Sequence, residues 1–216
     1  KNLSKSKPAV DVAASAAVLA TVDNDEDSVD LDSASCRAVI VDGIRRGAFG
    51  IDVDYDESGG DGDAVPEALR EHHERLGRSL ERLSRDLYSG EAHFLLELLQ
   101  NADDNAYPEG ATPAVCFQLS ADGSQLSVSC NERGFTPRAV RAICDVGRST
   151  KSAHAAGRIG HKGIGFKAVF RVSDAPEIHS GIFHFRFDLT KAGPLGCVLP
   201  HWIPGLRTAC GLCGFC

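Results

Sequence analysis

The chain has 216 residues, 43% of them hydrophobic and 25% charged, with 22 glycines, 9 prolines and a formal net charge of −7. This is the composition of one ordinary globular domain, and it excludes a collagen, a coiled coil and a small disulfide-stapled scaffold. No apolar run approaches the roughly 20 residues that span a bilayer, so a membrane-embedded protein is not expected.

Divided by position, the charge is less bland. Residues 1–63 hold 14 acids and 6 bases, residues 86–132 hold 8 acids and no base, and residues 133–171 hold 9 bases and 1 acid. Residues 1–63 are rich in Asp, Ser, Ala and Gly with few large apolar side chains. They read as an acidic low-complexity leader, mostly disordered, with order expected only around residues 44–51. An alanine-rich stretch at 12–22 behind Lys1, Lys5 and Lys7 faintly resembles a signal peptide, but Asp11 interrupts it and it is read as having no targeting role. The first residue is Lys and not Met, so a fragment or processed product is expected.

The folded domain is expected over residues 64–205. From Pro66, Leu69, Leu76, Leu80, Leu83 and Leu87 recur at helical steps, which predicts an amphipathic helix. A second helix is predicted over 91–106, stopped by Pro108 and Gly110, with Leu95, Leu98, Leu99, Ala102 and Ala106 on one face and Glu97, Asn101 and Asp104 on the other. Short alternating runs at 114–119 and 125–130, either side of Ala121-Asp122-Gly123-Ser124, read as a β-hairpin. Thr136 and Pro137 open a helix over 136–146 as N-cap and first residue. Residues 147–165 carry five glycines and are expected to form a mobile loop, 166–172 to continue as helix, and 178–189 to form two strands around Gly181. Helices followed by antiparallel strands predict an α+β fold, a two-layer sandwich.

Eight cysteines lie at 36, 116, 130, 144, 197, 210, 213 and 216. Most stand singly among apolar residues, as reduced core cysteines of an intracellular protein of cytoplasm or nucleus do. The tail at 206–216 carries Cys210, Cys213 and Cys216 in a C-x-x-C-x-x-C. A metal there needs a fourth ligand, for which His201 is the nearby candidate, and metal binding is the lesser reading.

The stripe Glu97, Asn101, Asp104 has a bland reading as a solvated helix face. Against it stands the absence of any Lys or Arg from Asp86 to Glu132, since solvated helices usually mix signs. Oxygen ligands one turn apart suit Mg²⁺ beside phosphates, and a carboxylate among them suits a general base. The second constellation is Gly160-His161-Lys162-Gly163-Ile164-Gly165, leading into Phe166. It lies in the basic block with Ser149, Thr150, Lys151, Arg158, Lys162 and Lys167. Glycine backbone and concentrated cations favour a polyanion, although a flexible loop is the bland alternative. The string is neither the dinucleotide fingerprint nor a Walker loop. Together, the acidic helix and the basic glycine string describe a Mg-nucleotide site.

Three segments resemble the N-terminal motifs of the Bergerat ATP-binding fold, shared by gyrase, heat-shock chaperones of the ninety-kilodalton class, histidine kinases and mismatch-repair proteins. They are Glu97-Leu98-Leu99-Gln100-Asn101-Ala102-Asp103-Asp104, the turn Asn131-Glu132-Arg133-Gly134-Phe135, and Ile159-Gly160-His161-Lys162-Gly163-Ile164-Gly165-Phe166-Lys167. The wording is most similar to the sacsin and plant NO VEIN group, through Cys144-Asp145-Val146-Gly147-Arg148-Ser149-Thr150-Lys151 and Val172-Ser173-Asp174-Ala175-Pro176-Glu177-Ile178-His179-Ser180. The resemblance runs from about residue 44 to residue 204.

It implies an ATP and Mg²⁺ site in which Glu97 orients or deprotonates the attacking water, Asn101 ligates Mg²⁺ and Asp104 lines the nucleoside pocket. Gly134 and Phe135 would flank the adenine, Ser149, Thr150 and Lys151 would open a lid, and Gly160, Gly163 and Gly165 would wrap the phosphates, with Lys162, Ile164 and Phe166 in the same string. The group usually reads the adenine amino group with Asp or Asn where this chain has Cys130, a poor acceptor, which passes that task to Asn131 or to water. The terminal strand and threonine of the family pocket are not in this sequence, so a C-terminally truncated domain is expected. The activity implied is a chaperone-like module that hydrolyses ATP slowly to drive lid closure, with further domains or protein clients as partners. The alternative is a non-hydrolysing nucleotide-sensing scaffold whose basic block binds RNA or DNA, with Phe135, Phe166 and Phe170 as the aromatics available for stacking.

Overall fold

The computed structural model of the chain describes residues 32–51, 67–87, 93–146, 165–204 and 213–215. The alanine-rich stretch, the segment 147–164, Cys210 and Cys216 lie outside the described residues. Asp32 caps helix α1 (Ser33–Ala38), accepting a hydrogen bond from the Ser35 amide at 2.8 Å and satisfying a donor that the helix start leaves unpaired. The chain runs on as a π-helix, Val39–Ala48. Cys36, Val39 and Ile40 are fully buried and Ile44 nearly so. The short ordered segment expected near residue 44 is therefore the end of a longer helical run that carries core residues.

Helix α2 (Glu67–Leu87) starts one residue after Pro66, as expected. Its Leu80 is buried, its His73 Nε2 lies 2.8 Å from the Phe49 carbonyl oxygen, and Gly77 packs beside Pro194. Helix α3 (His93–Asp103) turns Phe94, Leu98 and Ala102 inward, the four-residue spacing of one helix face. Leu99, expected on that face, is exposed, and Phe94 takes the place inside. Thr136 caps α4 (Pro137–Ile143) by accepting a hydrogen bond from the Ala139 amide at 3.2 Å, and Pro137 stands in its first turn. Where an α-helix is expected after residue 166, the chain forms a 3-10 helix, Gly165–Arg171, with three successive residues buried. It is enclosed rather than amphipathic, so the two-faced pattern of a surface helix does not apply. Asp188 caps the short α5 (Leu189–Ala192) by accepting from the Thr190 and Lys191 amides, and a 3-10 turn, Gly193–Cys197, follows.

The strands are β1 (Val115–Leu119), β2 (Leu126–Cys130), β3 (Glu177–Ser180), β4 (Phe183–Arg186), β5 (His201–Trp202) and β6 (Cys213–Phe215). They form one antiparallel sheet in the order β1-β2-β6-β3-β4-β5. Both expected hairpins are present. β6 comes from the Cys and Gly tail, yet it lies mid-sheet and joins the β1-β2 hairpin to β3. With helices over an antiparallel sheet, the fold is α+β. Among the described residues no helix is long and apolar enough to cross a membrane.

The register explains which face is buried. Phe117, Val128, Phe215, Ile178, Phe185 and Trp202 stand opposite one another in a single rung across all six strands. Val128, Ile178 and Phe185 from this rung share one core with α1, the π-helix, Phe94, Leu98 and Val140. The next rung, Cys116, Ser129, Gly214, His179 and His184, points to the other face. There the Nδ1 atoms of His179 and His184 are 3.1 Å apart, and Glu177 lies 3.5 Å from His179 Nε2.

Two predictions follow from this packing. Ile40→Ala should lower the unfolding free energy by about 2–5 kcal/mol in urea titration, the range for a truncated core aliphatic; a loss within error would return this segment to the leader. Burial, and then the neighbouring His179, hold the His184 imidazole below its ordinary value of 6.5. The folded state thus takes up this proton less readily than the unfolded chain, so stability is complete above about pH 6.5 and falls as acid titrates the unfolded imidazole. Thermal midpoints should drop from about pH 7.5 to about pH 5, and His184→Gln should make that dependence shallower.

Candidate functional site

Glu97 sits beside the buried Leu98 on α3, at the border between core and solvent. One carboxylate oxygen lies 3.0 Å from His93 Nε2, an i,i+4 pair on the same helix face. The other faces Gly165. A Cβ built on Gly165 would overlap that oxygen and stand 3.0 Å from Glu97 Cδ, so only glycine allows this approach. The last glycine of the expected phosphate string is therefore packed against the expected catalytic carboxylate, which joins the first and third motifs in space. Asn101 and Asp104 follow one and two turns on, both half-buried.

The second motif is fastened to the far end of α3. Tyr107 donates its hydroxyl hydrogen to the Ala102 carbonyl at 2.7 Å, Asn105 donates to the Glu132 carboxylate, and the Arg133 amide donates to the Ala106 carbonyl at 2.9 Å. Arg133 Nε adds a bond to the Tyr107 carbonyl at 3.1 Å. Burial raises the Glu132 carboxyl above the ordinary carboxylate range, although the Asn105 bond opposes the shift. The Tyr107 phenol is raised by burial first, then by Cys130 and Glu132. Cys130, at the position where the resemblance expects an adenine reader, thus borders Tyr107.

Gly134 has φ +95°, a left-handed backbone that side chains rarely adopt. The following Phe135 amide donates to the buried Ser180 hydroxyl at 2.7 Å, which ties the turn to β3. Gly134 and Phe135 therefore lie between the end of β2 and the sheet centre.

Several expectations change here. Both ends of the Asn131 amide are engaged: Oδ1 accepts from the Ala114 amide at 2.9 Å and Nδ2 donates to the Thr112 carbonyl at 2.9 Å. This side chain latches the hairpin entry. Phe166 is buried, with ring contacts to Phe170 and Phe187, and is a core residue rather than a wall of the phosphate site. With Phe166 and Phe170 packed together, only Phe135 is left of the aromatics considered for base stacking. Lys167, counted among the phosphate cations, is buried and donates to two backbone carbonyls. Ser149, Thr150, Lys151, Gly160, Lys162, Gly163 and Ile164 lie outside the described residues.

His201 on β5 is three strand spacings from Cys213 on β6, about 14 Å at the usual sheet spacing. That is too far for a shared metal whose ligands stand about 2 Å away. Among the described residues no group of three or more His, Cys, Asp or Glu could hold a metal ion. Cys36, Cys116, Cys144 and Cys197 are free thiols. Burial pushes Cys36 and Cys144 up to about 12, which keeps them unreactive, whereas Cys116 is exposed on the edge strand.

No family model matches the chain. Over 168 residues it is 52% identical to Protein NO VEIN of Arabidopsis thaliana, a match covering 78% of this chain and 6% of that protein. Over 110 residues it is 33% identical to sacsin of Homo sapiens, covering 44% of this chain and 2% of sacsin. The chain thus spans a small part of either relative.

The two glycines of the site should respond differently to substitution. Gly165→Ala displaces only the end of a flexible Glu97 side chain and should cost less than about 1 kcal/mol. Gly134→Ala forces a side chain into the left-handed region and should cost about 1–2 kcal/mol. Urea midpoints of the two variants check this; equal costs would mean that the Gly165 approach is not relieved by moving the carboxylate.

Proposed function

We propose, from the similarity to Protein NO VEIN and to sacsin, that the chain is a Mg-ATP-binding module of chaperone-like type built on the Bergerat plan, with slow hydrolysis. The observation that supports the reading most directly is the approach of Gly165 to the Glu97 carboxylate. On this reading a water-activating group would lie at the end of a phosphate-binding string, the juxtaposition a nucleotide hydrolase needs.

The donor set suits the ligand. Glu97, Asn101 and Asp104 offer oxygen atoms on successive turns, and a hard cation such as Mg²⁺ takes one or two protein oxygens and completes its shell with phosphate and water. Bound Mg²⁺ would neutralise charge on the phosphates. Asn101 would hold it, and Glu97 would orient or deprotonate the water. Asp104 would line the nucleoside pocket, with Gly134 and Phe135 flanking the adenine. Ser149, Thr150 and Lys151 would open the lid, and Gly160, Gly163 and Gly165 would wrap the phosphates, with Lys162 and Ile164 in the same string. Phe166 packs its ring in the core, and Asn131 keeps one acceptor lone pair and one donor hydrogen beyond its hairpin bonds. The base-reading position remains Cys130, beside Tyr107, so selectivity for adenine should be weak. Protein clients or neighbouring domains would receive the output.

Calorimetric titration with ATP, with and without Mg²⁺, tests the reading. Glu97→Ala should bind Mg-ATP nearly as the parent does while phosphate release falls by about 10²–10⁴-fold, the usual worth of a general base. Asn101→Asp should weaken Mg-ATP binding at least about tenfold, since an added negative charge meets the phosphates. Unchanged affinity in Asn101→Asp would mean that the site is misassigned, and unchanged phosphate release in Glu97→Ala would remove that residue from the chemistry.

A further inference from the structure

Lys167 is buried, yet its ammonium is enclosed without a carboxylate within salt-bridge distance among the described residues. Nζ donates to the Ile143 carbonyl and to the Cys197 carbonyl, both at 2.5 Å, and lies 4.8 Å from the Phe187 ring centroid and 5.8 Å from that of Phe166. The Ile143 carbonyl ends α4 and is one of the acceptors a helix C-terminus leaves unpaired, where a cation is favoured. The Cys197 carbonyl ends the Gly193–Cys197 turn. Lys167 itself belongs to the 3-10 helix that begins at Gly165. One side chain therefore fastens three segments together, two residues from the glycine that touches Glu97. Burial pushes its amine below the ordinary lysine value, so an apolar side chain of similar length would fit the site at lower desolvation cost. Packing alone does not account for a lysine here.

We infer that Lys167 is a positioning residue: by tying the 3-10 helix to the ends of α4 and of the Gly193–Cys197 turn, its ammonium holds Gly165 against the Glu97 carboxylate and sets that carboxylate's orientation. The inference rests on the catalytic role proposed for Glu97. It departs from the charge pattern of the sequence, in which Lys167 counts as a phosphate ligand. A phosphate ligand would act on affinity; a positioning residue acts on turnover.

The test compares Lys167→Met, Lys167→Arg, Gly165→Ala and the double variant Lys167→Met with Gly165→Ala, all in the 216-residue chain. Lys167→Met should lower kcat for Mg-ATP about tenfold or more while the calorimetric Kd moves less than about threefold, because only the transition state needs the oriented carboxylate. The double variant should be no slower than the slower single variant, since both changes act through one carboxylate. Should Lys167→Met fail to fold, Lys167→Arg keeps the cation but moves its donors, and the same split of kcat from Kd is expected. Unchanged kcat, a Kd that weakens in step with kcat, or multiplying effects in the double variant would overturn the inference.

Failure of the nucleotide reading shows separately, as absence of Mg-ATP binding by the parent chain. The positional part is then read from amide and side-chain carboxyl resonances. Those of Gly165 and Glu97 should shift in Lys167→Met or Lys167→Arg and stay in place in the exposed control Arg75→Met. Resonances of Gly165 and Glu97 that move no more than in the control would equally overturn it.

Discussion

Burial of the sheet face that carries Val128, Ile178 and Phe185 governs where the candidate site can lie. The rung from Phe117 to Trp202 places an apolar residue type at the same register position in all six strands, and α1, the π-helix and α3 contribute to the core that covers it. A one-residue slip in β3 or β4 would exchange the faces of that strand and set His179 or His184 where Ile178 or Phe185 now packs in the core. Ile178 and Phe185 are buried in the native register, so the pairing of these strands is favoured by the apolar surface it removes from water.

The candidate site inherits its geometry from that core. Leu98 and Phe166 belong to one buried cluster, and each has a site residue at its flank: Glu97 immediately precedes Leu98, and Gly165 immediately precedes Phe166. Packing two apolar side chains together therefore brings a carboxylate and a glycine backbone into contact at the core's edge. The polar groups around this edge are mostly committed to backbone. Asn131 closes the hairpin entry, Ser180 accepts from the Phe135 amide, and Lys167 binds two carbonyls. Such bonds satisfy groups that would otherwise be costly to bury, and they hold the three motif-bearing segments in fixed relation.

Much of this was legible along the chain because it is encoded locally. Helix α2 follows from Pro66 and leucine spacing, α4 from its Thr-Pro start, and the hairpins from alternation around short polar turns. Expectations based on average composition or on charge sign did less well. Val39, Ile40 and Ile44 form a clear core stripe, but they sit within a segment whose Asp and Ser content suggests disorder as a whole. Lys167 has the sign of a phosphate ligand, and sign alone does not reveal that its side chain turns inward. β6 is a three-residue Cys-Gly-Phe run with no alternation of its own; only pairing with residues far away in sequence makes it a strand. Asn131 illustrates the same limit at the site, since only the placement of Thr112 and Ala114 shows that its side-chain amide closes the hairpin entry.

The position of β6 also bears on when the molecule can form. It pairs with β2, more than eighty residues before it, and with β3, and no other described strand joins the two halves of the sheet. Each half can pair internally through short turns as soon as its own strands exist, but the two halves join only when β6, the last of the described strands, arrives. Closing that long loop comes before the contacts that reward it. During synthesis at roughly 5–20 residues per second, the β1-β2 hairpin therefore waits several seconds with its inner edge unpaired, a template open to other chains. Among the described strands, the one between β2 and β3 is thus made after both of its neighbours, so each neighbour carries an unpaired edge until it arrives.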